Sequence, residues 1–342
     1  MAYRKGALGG RRATLGILLV ILSCLSCCIL VWLWDLQSIP PGPELTGLQP
    51  TQGKLVFSRG GCPWTVNTDG TSLRELYCAV GIEANDPAWS SDGRKILFAC
   101  RSSSGGVIMV MNEDGSDPTT LMKGFRSTGA PRWSHDGTWI AFSATDENNF
   151  TNIYAMTSDG STLRNLTVDC NYCDWPSWSP DDSAIAFVSS EDWLTHTINM
   201  IDLYSDLKPV QIASFQGGIS HLSWSPDGGE ILFDWRPRGS GQRSDVYTIN
   251  NDGSDLKKLT ANKSGHYNGQ PTWSPDGSQI ALVAYYPRES RLSRWINFLD
   301  PPAPGEGIYI MNQDGTGLAQ VTSNNLRDVE SPDWWAPPQN HW

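Results

Sequence analysis

The sequence predicts an all-β fold: a six-bladed β-propeller whose ring is closed by N- and C-terminal strands, preceded by one N-terminal transmembrane helix. Three observations lead to this prediction. A tryptophan-centred motif repeats along the chain, turn-forming residues are dense, and a long apolar segment lies near the N-terminus. Of the 342 residues, 33 are Gly, 22 are Pro and 16 are Trp, and 39% are apolar. Such a composition excludes a coiled coil and a disordered chain.

The apolar segment from residue 15 to residue 34, LGILLVILSCLSCCILVWLW, contains no charged side chain. A helix of 20 residues spans the ~30 Å apolar core of a bilayer. All charges before it are positive, which favours a cytoplasmic N-terminus. We therefore expect a single-pass anchor in the cytoplasmic membrane, with the propeller outside, periplasmic or extracellular. A lipoprotein cut before Cys24 and a cleaved signal peptide are less favoured, because the apolar run continues and no cleavage site follows it.

The chain thus divides into a basic cytoplasmic stretch (1–14), a signal anchor (15–34), a Pro-rich spacer (35–53), the propeller (54–335) and a C-terminal tail (336–342). Residues 1–34 hold four of the 25 basic residues and none of the 36 acidic ones, so the remainder carries a net charge of −15. This acidic excess argues against nucleic acid as a partner, because phosphate neutralisation supplies most of that affinity.

The repeated motif occurs as DPAWSSDG, APRWSHDG, WPSWSPDD, HLSWSPDG, QPTWSPDG and SPDWWAPP. Its tryptophans, predicted to be structural, are Trp89, Trp133, Trp178, Trp224, Trp273 and Trp334. A β-rich run such as KILFAC follows each of the first five, then a strand such as VIMVMN, usually an Asp-Gly turn, and a last short strand. Four strands in about 45 residues correspond to one propeller blade.

The two ends of the repeat array complement each other. Residues 54–78 contain three strands of a unit without its Trp strand, and residues 329–335 contain a Trp strand alone. Pairing these ends would close the ring and leave no sheet edge open. Five complete units and this composite unit predict six blades.

The repeated W-S-P-D-G, followed by I-A-F, I-Y-x-M-N-x-D-G-S and L-x-x-L-T, resembles the repeat of TolB-type β-propellers over residues 54–335. The resemblance implies the fold. It says less about function, because propellers of this kind serve as binding platforms, lids and occasional enzyme scaffolds. TolB-like proteins usually carry a small α/β domain ahead of the propeller, where this chain has its spacer.

The connections within a blade predict where a partner binds. The first and third connections are short and similar, and we call the side that carries them the short-turn face. The second and fourth vary in length and define the variable-loop face, where rigid scaffolds display binding loops. Two of these loops combine arginine and aromatic residues, which is typical of sites for proteins or carboxylate-bearing ligands. The candidate binding residues are Trp235, Arg236, Arg238, Arg243, Arg288, Arg291, Arg294, Trp295 and Phe298.

An alternative for the second loop stays open. Trp295 and Phe298 would then pack the insertion of residues 285–307 onto its blade, while the arginines keep the insertion soluble.

Five cysteines lie outside the apolar segment. In an oxidising compartment we expect Cys62–Cys78 and Cys170–Cys173 disulfides, with Cys100 as a buried thiol. The spacing of the second pair also suits a metal or redox site, but a zinc site needs a second pair at suitable spacing, and none occurs. We predict no metal and no cofactor.

Catalytic motifs are absent from the sequence: it has no G-x-S-x-G nucleophile elbow, no H-E-x-x-H and no phosphate-binding glycine loop. We therefore predict no catalytic residues and a non-catalytic scaffold whose variable-loop face binds a protein or envelope component. Two alternatives stay open. One is a lyase or hydrolase with a central-channel site near His196, His221 or His266; the other is a propeller accessory to a separate peptidase.

Overall fold

The computed structural model describes residues 50–79, 81–103, 105–168, 170–205, 207–241, 243–260, 267–285, 306–322 and 328–337. These residues form β-strands and turns, and no helix capable of crossing a membrane occurs among them. The predicted anchor (15–34), the basic N-terminus and most of the spacer lie outside the described residues, so membrane attachment stays a prediction.

The strands assemble into antiparallel sheets in the order of the chain, as expected for a propeller. One four-stranded sheet contains β23 (Val329–Trp335), β1 (Lys54–Arg59), β2 (Cys62–Asn67) and β3 (Arg74–Glu75). The second four-stranded sheet contains β4 (Glu83–Trp89), β5 (Lys95–Ser102), β6 (Gly105–Asn112) and β7 (Thr119–Phe125). The third contains β8 (Ser127–Trp133), β9 (Trp139–Thr145), β10 (Thr151–Thr157) and β11 (Leu163–Asn165). A seven-stranded sheet contains β12 (Cys173–Trp178), β13 (Ala184–Ser189), β14 (Thr195–Asp202), β15 (Val210–Trp224), β16 (Glu230–Pro237), β17 (Asp245–Asn250) and β18 (Lys257–Lys258). The last sheet contains β19 (Tyr267–Trp273), β20 (Gln279–Tyr285), β21 (Gly307–Asn312) and β22 (Ala319–Gln320).

The seven-stranded sheet is a departure from the predicted six separate four-stranded sheets. The described residues form four four-stranded sheets, and the other seven strands are continuous. The middle strand, β15, pairs with β14 through residues 210–216 and with β16 through residues 217–224. No turn separates the last strand of one repeat unit from the first strand of the next, so both units share one 15-residue strand.

The innermost strands form a closed ring. In the order β4, β8, β12, β15, β19 and β23 each contacts the next, and β23 contacts β4. The ring closes where β1 and β23 pair, with Leu55 opposite Trp334. The structure therefore confirms the predicted pairing of the two ends of the array.

The turn between the first two strands of a unit is built by its repeated serine and aspartate. The Ser134 hydroxyl donates to Asp136 Oδ1 (2.6 Å) and accepts the Trp139 N–H (2.9 Å). The serine–aspartate bond recurs at Ser90/Asp92, Ser179/Asp181, Ser225/Asp227 and Ser274/Asp276. Because the side chains provide the hydrogen bonds that close the turn, the S-x-D sequence is repeated for a structural reason.

The hydrophobic core lies between neighbouring sheets. A fully buried aromatic residue of the second strand occurs in five units: Phe57, Phe98, Phe142, Phe187 and Phe233. Phe142 packs with Leu97 of the preceding sheet, and Phe187 packs with Ala141. Each sheet therefore covers one face of the next, which makes the arrangement of sheets depend on the whole ring.

Residues 50–53 join the propeller on the short-turn face. The Thr51 N–H donates to Gln279 Oε1 (2.8 Å), and its hydroxyl donates to Asp276 in a first-connection turn (3.0 Å). The variable-loop face is thus the side opposite the point where the chain enters the propeller.

The structure joins Cys62 to Cys78 and Cys170 to Cys173, the two pairings expected from the sequence. Cys100 is a buried free thiol, and burial raises its pKa to about 12. Such a thiol stays protonated at neutral pH and is chemically inert.

Candidate functional site

Four of the nine predicted binding residues are described: Trp235, Arg236, Arg238 and Arg243. They lie in the last part of β16 and the connection after it, on the variable-loop face. Arg288, Arg291, Arg294, Trp295 and Phe298 lie outside the described residues. The meeting of the two arginine-rich loops therefore stays a prediction.

Trp235 is a packing residue. Its half-buried ring lies 5.1 Å from Phe215 and 5.3 Å from Tyr247, measured between ring centroids. Its Nε1 donates to the Gln216 carbonyl (3.2 Å). The side chain holds β16 against its neighbours, and this role does not require a partner.

Arg236 and Arg238 are exposed, and neither forms an ion pair with a carboxylate of the described residues. Arg236 pairs opposite Gly218 across β15 and β16. Burial raises the pKa of Tyr267, and the positive charge of Arg236 partly opposes this rise. These two cations are available to an acidic group on a partner.

An exposed tryptophan lies beside them and was missed from the sequence. Trp193, in the β13–β14 connection, is 66% exposed, and its ring packs against Tyr172 at a tilt of 48°, with 4.6 Å between the ring centroids. The adjacent Leu194 carbonyl accepts the Gly217 N–H (2.9 Å), and Gly217 pairs opposite Pro237. The two loops are therefore neighbours. The signal was a tryptophan outside the repeat motif, in a connection of the variable-loop face.

We call the set of Trp193, Arg236 and Arg238 the arginine–tryptophan surface. It combines the two residue types most enriched among energetically dominant contacts in protein interfaces. Exposed Trp193 supplies apolar area, and the two arginines supply charge on an otherwise acidic chain.

A second feature lies on the axis of the ring. Three residues before each repeat tryptophan, the backbone adopts a left-handed conformation, with φ between 46° and 57°. The residues at these positions are Asp86, Ala130, Trp175, His221, Gln270 and Ser331. Each lies at a β-bulge of its innermost strand. Left-handed backbone is unfavourable for residues with a Cβ, so the ring must impose it at all of these positions.

These axial residues bond from unit to unit. Asp86 accepts the Ser331 hydroxyl (2.6 Å) and the Ala130 N–H (3.0 Å). The Ser331 N–H donates to Gln270 Oε1 (2.7 Å), and the Gln270 N–H donates to Asp234 Oδ1 (3.2 Å). Through these bonds the inner ends of several units are held together by polar groups.

His221 completes this network. Its Nδ1 lies 3.1 Å from Asp234 Oδ1, and its ring stacks on Trp175 with 3.8 Å between centroids. Its Nε2 is buried and has no hydrogen-bond partner among the described residues. Asp234 also accepts the Ser220 and Ser244 hydroxyls, so the carboxylate is held in place from several sides.

The histidines that the structure describes do not gather into one site. His221 is axial, His196 is buried in β14, and His135 pairs with Asp182 on the short-turn face (3.0 Å); His266 lies outside the described residues. Among the residues that the structure describes, the group close enough to hold a metal is Cys62, Glu75 and Cys78. Both cysteines are in a disulfide, so this group does not fit a metal.

The third feature is a cavity of ≈ 470 Å³ on the axis at the short-turn face. All the repeat tryptophans line it, together with prolines of the W-S-P motif. Trp178 Nε1 donates to the Arg132 carbonyl of the preceding unit (3.1 Å), whereas Nε1 of the other five repeat tryptophans is buried without a hydrogen-bond partner among the described residues. The repeat tryptophans lie in the apolar clusters shared by neighbouring units, so they join the units by packing and also form the cavity wall.

The carboxyl groups of this face have opposite pKa shifts. Bonds from Ser179 and Ser183 lower the pKa of the exposed turn residue Asp181 to about 2. Asp333 keeps some surface toward the cavity but is otherwise surrounded by protein, and this burial raises its pKa. A nearby positive charge, Arg132, partly opposes the shift of Asp333.

These shifts predict opposite pH dependences for two asparagine variants. The ionised form of Asp181 stabilises the wild-type protein, and this contribution is lost as the pH falls from about 4 to about 2. Asp181→Asn lacks the contribution, so it should lose stability relative to wild type as the pH rises through that range. Ionisation of Asp333 destabilises the wild-type protein as the pH rises above about 4. Asp333→Asn cannot ionise, so it should gain stability relative to wild type above that pH. Urea unfolding of both variants between pH 2 and pH 7 measures the two differences. Parallel curves for the two variants would contradict the assigned shifts.

Comparison with known proteins agrees with this architecture. A protein-family model, the TolB beta propeller domain, matches residues 57–210 and 174–289, more than half of the chain. Among solved structures, TolB from Acinetobacter baumannii superposes with a TM-score of 0.62 at 20% identity, over 82% of this chain and 66% of that one. At this identity the superposition concerns the fold alone.

Two curated relatives share parts of the sequence. An uncharacterized peptidase of Bacillus subtilis, YuxL, is 25% identical over 59% of this chain and 30% of its own length. An uncharacterized protein of Agrobacterium fabrum, Atu1656, is 27% identical over 58% of this chain and 65% of its own length. The chain therefore spans less than two thirds of either relative.

Proposed function

Because the chain belongs to the TolB β-propeller family, we propose that it is a membrane-anchored propeller outside the cytoplasm that binds a protein or envelope component without catalysis. The observation that supports this proposal is the arginine–tryptophan surface, where two exposed arginines without an ion pair among the described residues lie near an exposed tryptophan. The partner surface would be acidic and would contain an apolar group for Trp193. The two disulfides support an oxidising compartment.

The proposal includes two finer points, the number of blades and the position of the membrane anchor. We count the seven-stranded sheet as two blades that share β15, which makes six blades with the ring of innermost strands. The anchor is residues 15–34, followed by the Pro-rich spacer. Since the chain enters on the short-turn face, the arginine–tryptophan surface is on the opposite face from its own linker.

Site-specific photo-crosslinking in intact cells tests this function. A photoreactive amino acid in place of Trp193 should trap a partner of defined mass, whereas the same group in place of Tyr204 should not. Tyr204 is a matched control because it is also an exposed aromatic residue (84%) but lies in a third connection, on the short-turn face. Combining the Trp193 probe with Arg236→Ser and Arg238→Ser should reduce the trapped species about tenfold or more.

Two outcomes would contradict the proposal. Equal trapping from positions 193 and 204 would contradict the claim that the partner binds the variable-loop face. Undiminished trapping in the double arginine variant would contradict the claim that the arginine charges contribute to binding. Circular dichroism of the purified variant establishes that it is folded.

One alternative has its own observation. The orientation of His221 by Asp234 is the arrangement of a general base, which is what a central-channel lyase or hydrolase would need. Because Nε2 is buried, a substrate would reach it only after the channel rearranged. Binding without catalysis requires no such change, and we therefore prefer it.

A propeller accessory to a peptidase is a further alternative, suggested by the name of the Bacillus relative. The matched part is less than a third of that protein, so the peptidase activity does not pass to this chain with the similarity.

A further inference from the structure

The axial cavity on the short-turn face is independent of the arginine–tryptophan surface. Its walls are indole and proline rings, and its volume of ≈ 470 Å³ is within the range of small-molecule sites. Its remaining lining includes the residue immediately before each repeat tryptophan: Ala88, Arg132, Ser177, Ser223, Thr272 and Asp333.

Three of these six residues accept the backbone N–H of the next repeat tryptophan. Ser177 accepts the N–H of Trp224 (2.9 Å), and Asp333 Oδ2 accepts the N–H of Trp89 (2.7 Å). Ser223 accepts the N–H of Trp273 in the same way (3.4 Å). A hydroxyl that accepts a backbone N–H still has its own proton to donate. The serines thus present donors at the cavity.

Arg132 departs from this role. A guanidinium has no acceptor atom, so it cannot take a backbone N–H as Ser177, Ser223 and Asp333 do. Its side chain donates to the Pro131 carbonyl (2.9 Å), and it forms no ion pair with a carboxylate in the described part of the chain. A half-buried charge that neither bonds the next unit nor pairs with an acid is costly without a further partner.

Asp333 does not supply that partner. It lies near enough to Arg132 for their charges to interact, but not within the 4.0 Å of an ion pair. Its carboxyl is already bonded to the Trp89 N–H. The fork of Arg132 therefore keeps free donors toward the cavity.

We propose that this cavity binds a carboxylate attached to an apolar, preferably aromatic, group, with Arg132 and the serine hydroxyls on the carboxylate and the indole–proline walls on the apolar group. The carboxylate would come from a free carboxylic acid or from the C-terminus of a peptide. Planar guanidinium and carboxylate groups fit each other through two parallel hydrogen bonds. The tryptophan wall provides rigid apolar area at low entropic cost.

Tryptophan fluorescence of the full-length protein in detergent micelles measures this binding. The probes are N-acetylphenylalanine and a tetrapeptide ending in phenylalanine, each as the acid and as the amide. We expect at least one acid to bind and its amide to bind about 10- to 100-fold more weakly, the range for losing hydrogen bonds to a charged group. The tighter acid identifies the source of the carboxylate.

Variants separate this site from other surfaces. Arg132→Gln should weaken binding of the acid about 10- to 100-fold, and Arg132→Lys should lose less because the charge remains. Arg94→Gln is the matched control, since Arg94 is an exposed arginine of the same face that does not line the cavity. Arg236→Ser with Arg238→Ser should bind the acid like wild type.

Several results would overturn the proposal: equal affinity for acid and amide, equal affinity of Arg132→Gln and wild type, or no binding of either acid up to about 10 mM. If Arg132→Gln unfolds at a lower temperature than wild type, the affinities of Arg132→Lys and Arg94→Gln for the acid are compared instead. Weaker binding by Arg132→Lys would support the proposal, and equal binding would overturn it. Failure here leaves the arginine–tryptophan surface untouched, because the two sites share no residue.

Discussion

Replacing Trp334 with alanine should lower the free energy of unfolding by about 3–5 kcal/mol, the usual cost of removing a buried tryptophan. Trp334 is 5% exposed and packs in the cluster that joins the first and last strands of the array. A loss of this size is a large part of the stability of a typical protein. It should appear as a lower midpoint in urea unfolding, followed by circular dichroism.

Trp193→Ala is the matched control for this prediction. It removes the same side chain from a position that is 66% exposed, where the ring contact with Tyr172 is lost. We expect a cost within about 1 kcal/mol. If Trp334→Ala cost no more than Trp193→Ala, closure by β23 would not hold the ring together. Trp334→Phe, which keeps most of the apolar area, should lie between the two.

The second large effect concerns Asp234. Asp234→Ala should cost about 3–5 kcal/mol, because the carboxylate is 4% exposed and its loss removes the acceptor shared by several donors, one of them the buried ring of His221. The donors come from Ser220, Ser244, His221 and the backbone of Gln270. Since Gln270 belongs to the next repeat unit, the change should loosen contact between units as well as within one.

Asp227→Ala is the control, an exposed carboxylate in a first-connection turn of the same repeat unit. It closes a local turn, so its loss should cost about 1 kcal/mol. Differential scanning calorimetry compares the two variants under one condition. Similar melting temperatures for both would show that the axial network does not stabilise the ring.

Much of the fold was predictable because successive repeat units carry the same pattern of turn and core residues. Trp, Ser and Asp recur at fixed spacing within the motif, since each unit needs the same turn, as Ser134 and Asp136 show, and a tryptophan packed against the neighbouring unit. A buried phenylalanine in the second strand recurs for the same reason. One unit alone would have been ambiguous, but several units in register were not.

The shared strand β15 was not predictable. Its two halves belong to different repeat units, and the sequence between them, SFQGGIS, contains a glycine pair that resembles a turn. In the structure Gly217 adopts φ 114° within the strand and pairs opposite Pro237. Whether a glycine pair bends the chain or continues a strand depends on the neighbouring strands, and these are known only from the fold.

The binding role of the predicted residues stays a prediction. In the structure Arg236 and Arg238 are exposed, and Trp235 is half-buried against Phe215. Composition does not distinguish an aromatic side chain on one side of a strand from one on the other. Trp193 was missed because its loop carries acidic residues, and its closeness to Arg236 depends on the contact between Leu194 and Gly217.

By itself the sequence determined the repeat, the closure of the ring by its two ends, the disulfide pairs and the family, because each depends on local patterns or on spacing. The tertiary structure alone decided which side chains meet across units. The axial residues Asp86, Gln270 and His221 each lie three residues before a repeat tryptophan but are chemically unrelated, so their residue types do not show that they interact. They share a backbone conformation and a place on the axis, and only packing the innermost strands side by side brings them, and the cavity beyond them, together.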